Sequence, residues 1–208
     1  MKEFVGFVDA DFAAFAVPTL EGRMAAIKAG PRPKLEALGA ALAPALASLT
    51  GHPVYPIVAK HLRRKVNPPV DTWVAWSANP RGYKMLPHFQ VGLWETHVFI
   101  QAGVIYEAAA RPAFAANLLN RMEAIKAALP AHYRWLEDYT QPHGIPHGEM
   151  TAADFSRIAE RLRNRREADC MAGVTVDRDA AVARGPAFAG DVLAALQRLM
   201  PVYRLADA

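Results

Sequence analysis

The chain has 208 residues, with 24 Lys or Arg against 20 Asp or Glu, seven His and one Cys. Hydrophobic residues at 52% and charged residues at 21% exclude wholesale disorder, and no apolar run approaches the ~20 residues needed to span a bilayer. The lone Cys170 excludes an internal disulfide. The opening MKEFVGFVDADFAAF places acids where a secretory signal needs an unbroken apolar stretch, so the expectation is a soluble, cytoplasmic protein with no membrane partner. A formal charge of +4 permits nucleic-acid or anionic partners without demanding either.

The first fifty residues read as helical. Leu20, Met24, Ile27 and Lys28 have helix spacing, ended by Gly30-Pro31. Pro31 and Pro33 open a second helix with a stripe of Leu35, Leu38, Leu42, Leu46 and Leu49. Pro44 is expected to kink or split it, and Gly51 closes it. From Val54 to Tyr106 the pattern changes to β-branched and aromatic runs: 54–62, 72–78, 88–94 and 97–106. Asn67-Pro68-Pro69, the 79–82 turn and the short Glu95-Thr96 link separate them, and such short links favour an antiparallel meander. Further on, 112–129 reads as one helix with Phe114, Leu118, Met122 and Ile125 on one face. Residues 133–136 read as a short strand. Thr151 to Asp154 forms a capping box before a helix through Arg166, then 173–176 reads as a strand and 188–200 as a final helix. No linker divides the chain, so residues 1–208 read as a single α+β domain.

The strings YPIVAKHLRRKVNPPVDTWVAW and NPRGYKMLPHFQVGLWETHVF carry a resemblance. They resemble the YktB-like family of uncharacterised bacterial proteins, and the likeness extends weakly through RPKLEALGAALAP, IPHGEM and GVTVDRD. What it implies is a fold: a curved antiparallel sheet of four or more strands packed with helices, similar to the TATA-binding-protein fold. It implies no catalytic residues and no cofactor.

The hairpin around Glu95-Thr96 allows a register to be written. If Trp94 faces His97, then Gly92 opposes Phe99, Gln90 opposes Gln101, and His88 opposes Gly103. These eight residues then share one polar and aromatic face. The other face carries Phe89, Val91, Leu93, Val98, Ile100, Ala102 and Val104 and reads as core. One reading makes the polar face a ligand floor, with stacking from Trp94 and hydrogen bonds from His88, Gln90, His97 and Gln101. The competing reading packs a helix there, with Phe99 over Gly92 and both Gln residues at a wet rim.

Cations gather at 60–65, with Lys60 and Arg64 on one side of an extended chain, and at Arg81, Tyr83 and Lys84. They fit phosphates of a small anionic ligand, a nucleic-acid backbone, or a charged edge that blocks strand pairing. Should the chain catalyse a reaction, His88 or His97 is the acid–base residue, because His titrates near neutral pH. His143, His147 and Glu149 have metal-ligand types, but Pro146 breaks the spacing and a stiffened loop is the simpler account. Cys170 stands beside Asp169, which argues against a reactive thiolate. Small-molecule binding on the sheet face is therefore the leading expectation, and nucleic-acid binding through the two basic patches is the alternative.

Overall fold

A computed structural model describes residues 3–207. Its centre is an open antiparallel sheet of seven strands: β1 Tyr55–Val58, β2 Asp71–Ser77, β3 His88–Trp94, β4 His97–Val104, β5 Arg134–Leu136, β6 Ile145–Pro146 and β7 Cys170–Asp177. The spatial order is β1-β2-β3-β4-β7-β5-β6. The first four strands form the expected meander, and β7 then pairs with β4 along its whole length.

One face of this sheet is core. Val74, Trp76, Phe89, Val91, Leu93, Val98, Ile100, Ala102 and Val104 are all buried there. Nine α-helices lie among the described residues: α1 Asp9–Ala13, α2 Leu20–Ala29, α3 Pro31–Thr50, α4 Arg111–Asn120, α5 Met122–Ala128, α6 Ala152–Asn164, α7 Arg178–Arg184, α8 Phe188–Arg198 and α9 Met200–Tyr203. Helix α3 packs on β1 and β2, while α8 and α9 pack on β4. Close approach of α3 depends on Gly39, where a Cβ would lie 2.9 Å from Pro56 Cβ and 3.0 Å from Val74 Cγ2. At the same point Trp76 Nε1 donates to the Gly39 carbonyl at 2.9 Å, so this buried indole keeps no unmet polar atom. Phe89 stacks on Tyr203 of α9, with ring centroids 4.5 Å apart and planes 6° apart.

Several expectations are corrected. Helix α3 runs unbroken through Pro44; Leu38, Leu42 and Leu46 are buried on either side of it, and this packing holds the helix together despite the missing amide donor. The single helix over 112–129 is two, broken at Arg121, which leaves helical geometry at φ −110° and ψ 16°. The capping box at Thr151 is present, but α6 ends at Asn164 rather than Arg166. Strand β1 stops at Val58, so Lys60 to Lys65 do not lie on a strand. Ala59 still donates to the Trp73 carbonyl, after which His61 turns the chain at φ 52°. A non-glycine residue at that φ is costly. His61 is held there by its Nε2 contact with Thr72 Oγ1 at 3.1 Å.

Candidate polar-face groove

The hairpin register is the one read from sequence: Gly92 opposes Phe99, Gln90 opposes Gln101 and His88 opposes Gly103. Period-two alternation therefore places His88, Gln90, Trp94, His97 and Gln101 on the face away from the core. Strand β2 adds Asp71, Trp73 and Ser77 to this face, and β7 adds Gly173, Thr175 and Asp177. Phe99 does cover Gly92, where a Cβ would sit 2.3 Å from the ring. Among the described residues no helix borders the gap or the groove on this face. Instead the segment between β5 and β6, residues 137–144, crosses it as a strap.

The strap is tied at its ends. Glu137 ion-pairs with both Arg157 and Arg161 on α6, and Arg134 Nη1 donates to the Gly144 carbonyl at 2.9 Å. Between them, Thr140 and Gln141 bond only to Asp138, and no hydrogen bond joins residues 140–143 to the strands beneath among the described residues.

Beneath the strap is a gap of about 10 Å³, room for one water, bordered by Trp94, His97, Gln101, Arg134, Tyr139 and Pro142. It adjoins an open groove of about 480 Å³, which shares Trp94, His97, Arg134 and Pro142 and adds His143, Thr175 and Asp177. Across the strap, a second cavity of about 280 Å³ is lined by Arg64, Asp71, Trp73, Tyr139, Thr140 and Gln141.

The five floor residues of the sequence reading divide into two sets. His88 and Gln90 are buried and line neither the gap nor the groove. The Tyr83 ring packs edge-on against His88 at 4.8 Å, and Trp73 Nε1 donates to Tyr83 Oη at 2.9 Å. His88 Nδ1 lies 3.0 Å from the Leu86 carbonyl; a carbonyl only accepts, so the proton is on Nδ1 and Nε2 presents a lone pair. Burial holds His88 down at about 4, against an ordinary 6.5. Trp94, His97 and Gln101 open on the gap. Trp94 and His97 stack with planes 10° apart and centroids 5.9 Å apart, and His97 Nδ1 sits 2.9 Å from Thr96 Oγ1. Burial lowers the His97 pKa, nearby Asp177 raises it again, and His143 adds to the lowering.

Four buried polar atoms of this face have no hydrogen-bond partner among the described residues: His88 Nε2, Gln90 Oε1, His97 Nε2 and Gln101 Oε1. Folded proteins leave few such atoms unmet, and each costs about 1–3 kcal/mol. All four lie on one face, and His97 and Gln101 border the gap beneath the strap.

The flanking residues fare unevenly. Lys60 and Arg81 are exposed and border neither the gap nor the groove. Arg64 lines the second cavity beside Asp71, whose carboxyl burial raises to about 6 while Arg64 opposes the rise. Tyr83 is buried, its hydroxyl accepting from the Trp73 indole, and Lys84 is paired with Glu107 at 3.1 Å; neither borders the gap or the groove. The groove cation is Arg134, which sequence reasoning missed, together with Thr175 and Asp177. Their only signal was polar residues in and beside short predicted strands, and it could not show that β7 and β5 join the sheet beside β4.

The two remaining motifs are largely engaged within the fold. His147 is buried; its Nδ1 accepts from Trp135 Nε1 at 3.0 Å and its Nε2 faces the Lys126 carbonyl at 3.2 Å, so both ring nitrogens are used. Among the described residues no group of three or more His, Cys, Asp or Glu is placed to hold a metal ion. Cys170 is fully buried, and desolvation, helped by Asp169, pushes its thiol pKa up. No helix among the described residues is long and apolar enough to cross a membrane.

A family model described as a domain of unknown function, DUF1054, matches residues 7–203. The chain belongs to the DUF1054 family. A UPF0637 protein of Bacillus cytotoxicus is 43% identical over 202 residues, which is 97% of each chain. One from Bacillus licheniformis is 40% identical over 96% of this chain and 95% of its own, and one from Bacillus mycoides 41% over 97% of each. The YktB-like resemblance read from the central strings is thus shown over nearly the full length. The names of these relatives state no ligand or activity.

Proposed function

We propose that this DUF1054 chain binds a small anionic molecule on the polar sheet face, in the groove of Trp94, His97, Arg134, Thr175 and Asp177, with one end reaching Gln101 beneath the strap. The observation that carries the reading is the pair of unmet buried atoms, His97 Nε2 and Gln101 Oε1, at the inner end of an open groove. Arg134 supplies the cation, since its bond to Gly144 leaves most of its five donors unused. The strap closes the inner end to all but a water, so binding moves residues 140–143. A two-dimensional NMR titration with inorganic phosphate tests this. Shifts gathered at Trp94, His97, Arg134 and Thr175 are expected; shifts confined to Lys60–Lys65, or none, contradict it.

Nucleic-acid binding is the second reading. It is favoured by Lys60, Arg63, Arg64 and Lys65, all exposed and without an ion-pair partner among the described residues. It loses the stacking ring of Tyr83 and the free charge of Lys84. On this reading, each cation removed lowers the salt dependence of RNA or DNA binding by about one unit of slope. We also propose that the chain is one domain, supported by its large shared hydrophobic core, and that its open sheet with helices on one face is of the TATA-binding-protein kind.

A further inference from the structure

Resting on the small-ligand reading of the groove, we infer that its ligand is a planar nitrogen heterocycle carrying an anionic group, the chemistry of a mononucleotide. The argument starts at Gln101. Its side chain lies across Gly173, where a Cβ would stand 2.6 Å from Gln101 Cγ, so the glycine clears the space the amide occupies. Gln101 is 5% exposed and its Oε1 is unmet. A primary amide offers an acceptor and a donor pair in one plane, and its ends exchange by a half-turn. Two adjacent complementary groups on a rigid edge satisfy both at once, as when Gln pairs bidentately with an adenine edge. A carboxylate or the dianion of a phosphate monoester supplies only acceptors and leaves Oε1 unmet, and inorganic phosphate can offer a single hydroxyl donor but no rigid donor–acceptor edge.

The walls of the gap narrow the class further. Phe99, Leu136, Tyr139 and Pro142 border it. Such rings and aliphatic surfaces favour the faces of a flat aromatic system and offer a polyol few hydrogen-bond partners. His97 Nε2 supplies a second polar contact on the floor, and Arg134 stands at the mouth, where the groove widens and an anion remains partly solvated. A heterocycle inside and an anion outside match the order of these groups from the gap to the open groove. Room for the ring comes from lifting residues 140–143, which no hydrogen bond holds to the sheet among the described residues.

Isothermal titration calorimetry of the full chain with the four common nucleoside monophosphates, the corresponding nucleosides, and ribose phosphate tests the inference. At least one monophosphate should bind tighter than both its nucleoside and ribose phosphate, each by about tenfold or more, because both a charged bond and an edge pair are lost separately. Arg134→Ala, an exposed position, should reduce that monophosphate to the level of its nucleoside. Gln101→Leu, with folding checked by its unfolding transition, should reduce it to the level of ribose phosphate. If ribose phosphate binds as tightly as every monophosphate, and Arg134→Ala abolishes it, the heterocycle inference is overturned while the anion groove stands. If no probe binds and inorganic phosphate shifts no groove resonance, both readings fall.

Discussion

The two faces of the central sheet are built from the same strands and the same backbone hydrogen bonds, yet the rest of the chain treats them differently. On one side Val74, Trp76, Phe89, Val91 and Ile100 are sealed by helices, and the indole nitrogen of Trp76 has its partner in Gly39. On the other side His88, Gln90 and Gln101 are almost as deeply covered and His97 is half-buried, yet each keeps a buried polar atom with no partner among the described residues. A strap tied at its ends covers part of that face, and open grooves flank it. The core face is satisfied by the chain itself. The polar face keeps atoms without a partner among the described residues, and proteins that break such a local rule most often do so at functional sites.

The comparison predicts a graded set of stability effects. Trp76→Ala should cost the most, about 3–5 kcal/mol, because it empties the core face and removes the indole bond to Gly39; urea unfolding at neutral pH reads it directly. Acid comes next. His88 binds a proton in the unfolded chain near 6.5 but in the fold only near 4, so its contribution is full above about pH 6.5 and is lost as pH falls towards 4. The loss is on the order of 3 kcal/mol. His61, also lowered to about 4, acts in the same direction. Asp71 works the other way: with its carboxyl raised from 3.8 to about 6, its contribution is present below 3.8 and is lost as pH rises towards 6. Asp71→Asn should therefore steepen the loss of stability on acidification, and an unchanged slope would break this account of the polar face.

Gly39→Ala is expected to be smaller. The new Cβ overpacks the Pro56 ring and Val74 at a cost of about 1–3 kcal/mol, while alanine returns about 1 kcal/mol of helix propensity. A net loss of about 1 kcal/mol should appear in the unfolding midpoint; a gain would mean the helix slides on the sheet. Smallest of all, Glu36→Ala removes an i,i+4 pair with Arg32 on the outer side of α3 and should change stability by about 0.5 kcal/mol or less.

How much of this was legible follows from the range of the interactions. The β3–β4 register could be written from the sequence because a two-residue link joins strands whose apolar residues alternate, and the pairs Gly92–Phe99, Gln90–Gln101 and His88–Gly103 are in place. The capping box at Thr151 and the Leu stripe of α3 are equally local. Arg134, Thr175 and Asp177 were not assigned to the site because their position depends on β7 pairing with both β4 and β5, contacts made across long stretches of chain. The strap was illegible for the same reason. Lys60 to Lys65 misled in the opposite way: β-branched residues before them suggested a continuing strand, whereas the chain turns off the sheet at His61. Tyr83 and Lys84 looked available because sequence does not show Trp73 and Glu107 engaging them.

The central claim is that the polar face is kept for a ligand at the expense of stability. It is tested most directly by the unfolding free energy of Gln101→Leu against the unaltered chain, both without ligand. Removing an unmet amide and leaving an apolar side chain of similar size should hold stability level or raise it. A loss of about 1–3 kcal/mol would show that Gln101 is already satisfied within the fold, and the groove would lose its claim to be a binding site.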